Sequence, residues 1–123
     1  MSTTKFLNPA ELIKAFEAIQ GKVIVVLSGS VGANGKSWCP DCDVARPQIS
    51  KLLAAEYRPP CLYGEVEERN SWVGRSDHPY KKHSVIKARG VPSVILFENG
   101  SELHRVDDLS DFANDDLMAM FLE

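Results

Sequence analysis

The stretch GSVGANGKSWCPDC (residues 29–42) follows a run of apolar residues and precedes a helical pattern. Its middle, Gly35-Lys36-Ser37, matches the end of a phosphate-binding loop. Its last four residues place Cys39 and Cys42 at the Cys-x-x-Cys spacing of redox proteins. The two interpretations predict different chemistry, nucleotide binding or thiol exchange.

The phosphate-loop interpretation conflicts with the spacing of the glycines. Such a loop requires the pattern G-x-x-x-x-G-K-[ST], in which the first glycine would occupy position 30, but that residue is Ser30. Gly29 lies one position too early, and an additional residue changes which backbone amides converge on the phosphate oxygens. Trp38 and a Cys-Pro dipeptide also separate the loop from the helix. The sequence therefore disfavours nucleotide binding.

The dithiol interpretation agrees with the local helix signals. Pro40 suits the first helical position, which places Cys39 at the N-cap and Cys42 in the first turn. The helix dipole and free amides favour the thiolate of Cys39, whereas Asp41 and Asp43 oppose it. We expect Cys39 to attack a disulfide and form a mixed disulfide, which Cys42 then resolves.

A zinc site is the main alternative for a Cys-x-x-Cys pair. A closed structural zinc site takes four ligands, and Cys61 and the histidines do not form a second pair at metal spacing. The sequence therefore predicts no metal. Cys61 is expected to be a small buried hydrophobic residue, with regulatory oxidation as the alternative.

Signals along the rest of the chain predict an α/β fold in the order α-β-α-β-α-β-β-α, with a mixed sheet between helices. The predicted elements are a helix that starts at Pro9 behind the N-cap Asn8 and stops at Gly21, a strand over 22–28, a helix over 40–57 kinked at Pro47, a strand over 61–68 with Gly64 as a candidate bulge, a helix over 79–90, a hairpin over 91–108 that turns at Asn99-Gly100, and a helix capped by Asn114. The buried side of the second helix is predicted at Val44, Ile49, Leu52 and Leu53.

The overall composition predicts a single domain over residues 1–123. A net charge of −3 disfavours nucleic-acid binding, which needs clustered cations. The longest apolar run, Val23–Leu27, is too short to span a membrane, and the N-terminus lacks the pattern of a signal peptide. Three cysteines, an odd and low number, suit a reducing compartment, so a cytoplasmic location is expected.

The segment Trp38-Cys39-Pro40-Asp41-Cys42 resembles the active site of the thioredoxin superfamily. Within that superfamily, GKSWCPDC (residues 35–42) and its preceding loop are similar to the 14-kDa thioredoxin-related proteins, the thioredoxin domain-containing protein 17 subfamily. Pro47, eight residues after Cys39, matches the helix-kinking proline of the superfamily. The segment RGVPSVILFENG (residues 89–100) matches the part that carries its cis-proline, here Pro92.

The resemblance implies a thioredoxin-like fold with a central mixed sheet flanked by helices on both faces. Pro92 would follow a cis peptide and face the dithiol, and the backbone of Val91 would pair with an extended substrate. Trp38 would cover one side of the dithiol. Pro40 and Asp41 would support the site and place a charge on the docking surface.

The resemblance also implies an enzyme, a cytosolic thiol–disulfide reductase that acts in cell redox homeostasis. Its substrates would be nitrosothiols and small or selected disulfides, including cystine and some proteins. No cofactor would be bound, since electrons would come from NADPH through thioredoxin reductase. That reductase is the expected partner, and the protein is expected to be a monomer. The alternative is a binding or regulatory module on the same scaffold, with a dithiol that senses redox state.

One departure from thioredoxins concerns the proton of the resolving cysteine. Thioredoxins carry a buried Asp behind the dithiol on the central strand, but VIVVLS (residues 23–28) contains no carboxylate. Glu65 on the neighbouring predicted strand is the candidate replacement, although a surface or edge role is favoured for it. The altered Pro40-Asp41 pair and the longer loop 29–38 imply a narrower substrate range than that of thioredoxin.

Overall fold

The computed structural model describes residues 2–123 and contains five strands and five α-helices within that range. The elements are β1 (Thr3–Phe6), α1 (Pro9–Ala18), β2 (Lys22–Gly29), α2 (Pro40–Leu53), β3 (Cys61–Val66), α3 (Pro79–Lys82), β4 (Ser93–Glu98), β5 (Ser101–Val106), α4 (Leu109–Phe112) and α5 (Asp115–Ala119). Two short 3₁₀ turns lie at Arg69–Ser71 and Met120–Leu122.

The strands form one mixed sheet in the order β1-β3-β2-β4-β5. β3 runs parallel to both β1 and β2, whereas β4 is antiparallel to β2 and to β5. A strand that is hydrogen-bonded on both sides and covered on both faces has a continuous apolar amino-acid sequence. β2 is the central strand and is buried from Val23 to Gly29, which confirms the prediction made from its apolar sequence.

Alternate residues of β2 enter two separate cores because successive side chains of a strand point to opposite faces. Val23, Val25 and Leu27 pack in one core with residues of α1 and β3 and the segment around α3. Ile24 and Val26 pack in the other with residues of α2, α4 and α5. Helices therefore cover both faces of the sheet, and the predicted fold class is confirmed.

Several helix and turn signals are confirmed. The Asn8 side chain accepts hydrogen bonds from the amides of Ala10 at 2.9 Å and Glu11 at 3.4 Å and so caps α1. Asn99 and Gly100 have φ values of +51° and +80° between β4 and β5, the positive φ that a two-residue hairpin turn requires. Asn114 caps α5 in the same manner as Asn8 caps α1.

Some element boundaries in the sequence analysis were wrong. The strand β1 and the helix α4 were not predicted, since each has only four residues. The helix expected over 79–90 ends at Lys82, because the His83 ring accepts the amides of Val85 and Ile86 at 3.2 Å and turns the chain. α2 ends at Leu53 rather than at residue 57.

The buried side of α2 also differs from the prediction at one position. Val44 is 64% exposed, and Leu53 is only partly buried. The helix instead buries residues at three- and four-residue spacing, Cys42, Ala45, Ile49 and Leu52. Residues two positions apart do not share a helix face, so Val44 cannot point to the sheet when Cys42 does.

Gly64 is not a bulge, contrary to the sequence-based expectation. It pairs in continuous register with Leu27 on one side and Phe6 on the other. A Cβ atom here would lie 2.8 Å from the Tyr80 hydroxyl and 2.9 Å from side-chain carbons of Leu12 and Leu27. The glycine therefore permits close packing between the sheet and its covering segment.

Candidate active site

The two cysteines lie at the start of α2, where the sequence placed them. Cys39 is the N-cap residue and Pro40 occupies the first helical position. The Cys39 sulfur accepts a hydrogen bond from the Cys42 amide at 3.2 Å. Both residues are free thiols, Cys39 being 6% exposed and Cys42 fully buried. The Cys39 sulfur is the more accessible of the two and lies at the N-terminus of a helix, which suits Cys39 to nucleophilic attack.

Cys42 has a different environment from Cys39. Burial and the hydrogen bond with Cys39 raise the pKa of the Cys42 thiol to about 12. The Gly29 amide donates to the Cys42 sulfur at 3.3 Å and opposes that rise, as does the hydroxyl of Ser28. Cys42 is therefore predominantly protonated at neutral pH and must lose its proton before it can attack.

The glycine-rich loop between β2 and α2 bonds to itself and to its surroundings. Four backbone amides in this loop donate to protein acceptors: Ser30 to the Val66 carbonyl, Gly32 to the Lys36 carbonyl, Gly35 to the Gly32 carbonyl, and Lys36 to the Asn34 side chain. A phosphate-binding loop needs convergent amides that are free to bind phosphate oxygens. These four amides are already occupied by protein acceptors, in agreement with the spacing argument.

Asp43 fastens the loop to α2, a role that the sequence analysis missed. Its carboxylate accepts the Ser37 amide at 3.0 and 3.2 Å and lies 2.6 Å from Arg46 Nη2. These contacts hold the pKa of the Asp43 carboxyl below its ordinary value. The Ser37 hydroxyl in turn accepts the Cys39 amide at 3.0 Å. A carboxylate in the first turn of a helix, near a loop that contains serine, was the available signal.

Gly29 lies where the loop passes directly behind the dithiol. A Cβ atom at this position would lie 2.7 Å from the Ser37 hydroxyl, 2.9 Å from the Trp38 ring and 3.0 Å from the Cys39 Cβ. All three distances are shorter than normal van der Waals contacts. The close approach of the loop to β2 therefore requires glycine here.

The structure brings the other residues expected at the site close to the dithiol. The partly buried Trp38 ring donates from Nε1 to the Val66 carbonyl at 2.8 Å, which fixes it beside Cys39. The peptide between Val91 and Pro92 is cis, and the Cys39 sulfur lies 3.6 Å from the Val91 carbonyl oxygen. Asp41 is exposed next to the two cysteines.

Glu65 lies outside the immediate surroundings of the sulfurs. Its carboxylate accepts the Ser30 hydroxyl at 3.4 Å and lies 3.8 Å from the Lys5 ammonium at the β1 edge of the sheet. These polar partners agree with the edge role favoured in the sequence analysis rather than with direct contact to Cys42.

Cys61 is separate from the dithiol. It is 1% exposed and lies at the start of β3, paired with Thr3 of β1 and Ile24 of β2. Burial raises the pKa of its thiol to about 12. The expectation that it is a small buried residue is confirmed.

Residues 2–123 contain neither a metal-ligand cluster nor a membrane-spanning helix. No group of three or more His, Cys, Asp or Glu side chains in this range is placed to hold a metal ion. Within the same range, no helix has both the length and the apolar character needed to cross a bilayer.

Comparison with known proteins identifies relatives of the whole described chain. The sequence model described as thioredoxin domain-containing protein 17-like, thioredoxin domain, matches residues 2–123. Thioredoxin domain-containing protein 17 of Epinephelus coioides is 34% identical over 98 residues, which are 76% of this chain and 75% of that protein. Thioredoxin-like protein Clot of Oryza sativa is 30% identical over 105 residues, 80% of this chain and 75% of that protein.

One relative is much longer than the matching region. A Leishmania braziliensis protein named acireductone dioxygenase is 33% identical over 83 residues, which are 60% of this chain but only 23% of that protein.

Among solved structures, Trxlp from Edwardsiella tarda superposes with a TM-score of 0.62 at 16% identity, covering 99% of this chain and 100% of that one. This structural likeness shows a thioredoxin fold.

Proposed function

The chain belongs to the thioredoxin domain-containing protein 17-like family of thioredoxin domains, and from this membership we propose that it is a thiol–disulfide reductase working through Cys39 and Cys42. The observation that carries the proposal is the position of the Cys39 sulfur, which accepts the Cys42 amide and lies beside the Val91 carbonyl. The unit proposed is a single domain that uses a reversible disulfide and no bound cofactor.

The catalytic cycle has two exchange steps. The Cys39 thiolate attacks one sulfur of the substrate, the substrate disulfide breaks, and the first thiolate leaves and is protonated by water. Cys42 then loses its proton and attacks the Cys39 sulfur, which breaks the mixed disulfide and releases the second thiol. The protein is left with a Cys39–Cys42 disulfide, and two electrons must be supplied to restore the dithiol.

We propose NADPH, acting through thioredoxin reductase, as the source of those electrons. An odd and low number of cysteines, three in the sequence, suits the reducing conditions of the cytosol, where this route operates. The protein would act there as a monomer, in cell redox homeostasis.

The docking surface favours small or selected substrates. An extended segment would pair with the backbone of Val91 next to Pro92, between the Trp38 ring and the exposed Asp41. Because a carboxylate beside the sulfurs and a fixed loop both restrict access, cystine, nitrosothiols and selected protein disulfides are the proposed substrate class.

The proposal is tested by NADPH consumption with thioredoxin reductase and cystine. Wild-type protein should accelerate consumption, Cys39→Ser should abolish the acceleration, and Cys42→Ser should accumulate mixed disulfides detectable by mass spectrometry. Cys61→Ala is the matched thiol control and should retain turnover, because Cys61 lies in the sheet core. Equal residual activity in both dithiol variants would contradict the assigned roles. No consumption by wild-type protein would favour another electron donor or the binding-module alternative.

A further inference from the structure

The proposed function requires a group that removes the proton of Cys42, and no carboxylate in the described range 2–123 is bonded to this thiol. We propose that the hydroxyls of Ser28 and Tyr63 form a proton path from the Cys42 sulfur to a solvent-filled cleft between α2 and the β1 edge of the sheet. The inference rests on the proposed function and assigns two residues to its resolving step.

Ser28 occupies the inner end of this path. It is the seventh residue of β2 and continues the face formed by Ile24 and Val26, over which α2 packs. It is 3% exposed, and it is the one hydroxyl residue of that strand. Tyr63 pairs with Val26 and so shares this face of the sheet, and the amide of the next residue, Gly29, donates to the Cys42 sulfur at 3.3 Å. The Ser28 side chain thus lies close to both groups and lowers the pKa of each. Ser28 is therefore placed to accept from one and donate to the other.

Tyr63 occupies the outer end of the path. It lies on the neighbouring strand β3, in register with Val26, and is only partly buried. It lines a cleft of about 460 Å³, together with Lys5 of β1 and Arg46 of α2. Since the Lys5 side chain is 67% exposed, water reaches this cleft. The tyrosine thus connects the buried serine to solvent.

The charged groups around the path are already paired with one another. Lys5 of β1 lies 3.8 Å from Glu65 of β3, and Arg46 lies 2.6 Å from Asp43 within α2. Among residues 2–123 no carboxylate contributes to the pKa shift of Cys42, whereas the Ser28 side chain does.

The step needs such a path because Cys42 is fully buried. Burial raises the pKa of this thiol, so that it is predominantly protonated at pH 7. In the path, Cys42 gives its proton to Ser28 Oγ as Ser28 gives its own to Tyr63 Oη, and the Tyr63 proton passes to water. The electron pair left on the Cys42 sulfur forms the bond to the Cys39 sulfur, and the substrate sulfur leaves with the pair of the broken bond.

A single-turnover reaction with 5,5′-dithiobis(2-nitrobenzoate) separates the two exchange steps. Attack by Cys39 releases one coloured thiolate, and resolution by Cys42 releases a second. Ser28→Ala and Tyr63→Phe should leave the first phase within about twofold of wild type and slow the second by about 10²-fold at pH 7. Ser28→Thr should restore the second phase because it keeps the hydroxyl. Tyr57→Phe, at a tyrosine that is 79% exposed, is the matched control and should change neither phase.

The pH profile of the second phase distinguishes a proton path from a structural effect. Wild-type protein should show a component that does not depend on pH between about pH 6 and 9. Ser28→Ala and Tyr63→Phe should lose that component, so that their rates rise about tenfold per pH unit as the thiolate fraction rises. A displaced sulfur would instead lower the rate equally at every pH, and that result would overturn the proposal.

The outcomes separate this inference from the proposed function. A second phase that is missing in wild-type protein would refute dithiol exchange itself. Two phases in wild type, with the second unchanged in both variants, would refute the path and leave the reductase intact. Slowing by Glu65→Gln but not by Tyr63→Phe would identify Glu65 as the acceptor and also overturn the path. If Ser28→Ala fails to fold, Tyr63→Phe still decides the question.

Discussion

At the scale of the single residue, Tyr80 combines full burial with a hydroxyl that has no hydrogen-bond partner among residues 2–123. Leu12 and Leu27 lie around it, with Gly64 directly opposite the hydroxyl. Burial raises the pKa of this phenol, so it stays neutral. A buried polar group without a partner costs about 1–3 kcal/mol.

We therefore expect Tyr80→Phe to increase the free energy of unfolding by about 1 kcal/mol, because it removes the unpaired hydroxyl and keeps the ring. Urea denaturation monitored by tryptophan fluorescence measures this change. Tyr57→Phe, at an exposed tyrosine, should stay within about 0.5 kcal/mol of wild type. A clear loss of stability in Tyr80→Phe would mean that the hydroxyl has a partner such as a buried water.

Gly29 is a second position at which one residue determines the geometry of the site. Gly29→Ala should lower the free energy of unfolding by about 1–3 kcal/mol, because its Cβ would overlap the loop. It should also slow attack on disulfides about tenfold or more by displacing the dithiol.

Gly32→Ala is the matched control for Gly29→Ala. A Cβ atom at Gly32 meets no neighbour nearer than 3.5 Å, so stability and exchange rate should both be retained. Denaturant unfolding and stopped-flow exchange test the pair of variants. Equal effects of the two substitutions would contradict the packing argument.

At the scale of the element, the loop before α2 depends on one carboxylate. Hydrogen bonds from the Ser37 amide and from Arg46 lower the pKa of Asp43 from its ordinary value of 3.8. A group with a lowered folded pKa stabilises the folded state above its unfolded pKa, and that stabilisation disappears as pH falls through the folded pKa. The loop attachment is therefore strongest near neutral pH and weakens in acid below about pH 4.

Asp43→Asn should consequently destabilise the protein at pH 7, and the difference from wild type should shrink as the pH falls below 4. Thermal unfolding of both proteins between about pH 7 and 3 measures this difference. Asp77→Asn is the control, since Asp77 belongs to an exposed ion pair with Arg75, which contributes little. A difference that grows in acid would show that the ionised Asp43 carboxylate does not stabilise the fold.

At the scale of the whole molecule, the sheet shields Cys61 on both sides. It pairs with β1 and β2 and belongs to the core beneath α2. A residue in the middle of a sheet becomes accessible only when the strands separate, which in a small domain accompanies global unfolding.

We expect iodoacetamide to modify Cys61 only as urea unfolds the protein, in parallel with loss of the folded fluorescence signal. Cys39, at the surface end of the dithiol, should react in the absence of urea. Mass spectrometry of peptides after alkylation distinguishes the three thiols. Modification of Cys61 in native buffer would show that the β1 edge opens locally.

The sequence predicted those features that depend on neighbours along the chain. Pro40 after Cys39 indicated the helix start, Asn99-Gly100 indicated the hairpin, and the run at 23–27 indicated the central strand. Each of these features depends on backbone preferences or on short-range spacing, and both are determined by residues that are close together in the sequence. The dithiol was found for this reason, whereas the cis peptide before Pro92 was expected only from the family resemblance.

Tertiary contacts alone decided the remaining features. The pairing of β1 with β3, the exposure of Val44 and the close packing at Gly64 depend on residues distant in sequence. The placement of Ser28 and Tyr63 on the face of the sheet beneath α2, close to Cys42, likewise depends on two strands and a helix. A hydroxyl in an apolar strand gives no local sign of its partner, because that partner is set by strand register and by the helix packed above.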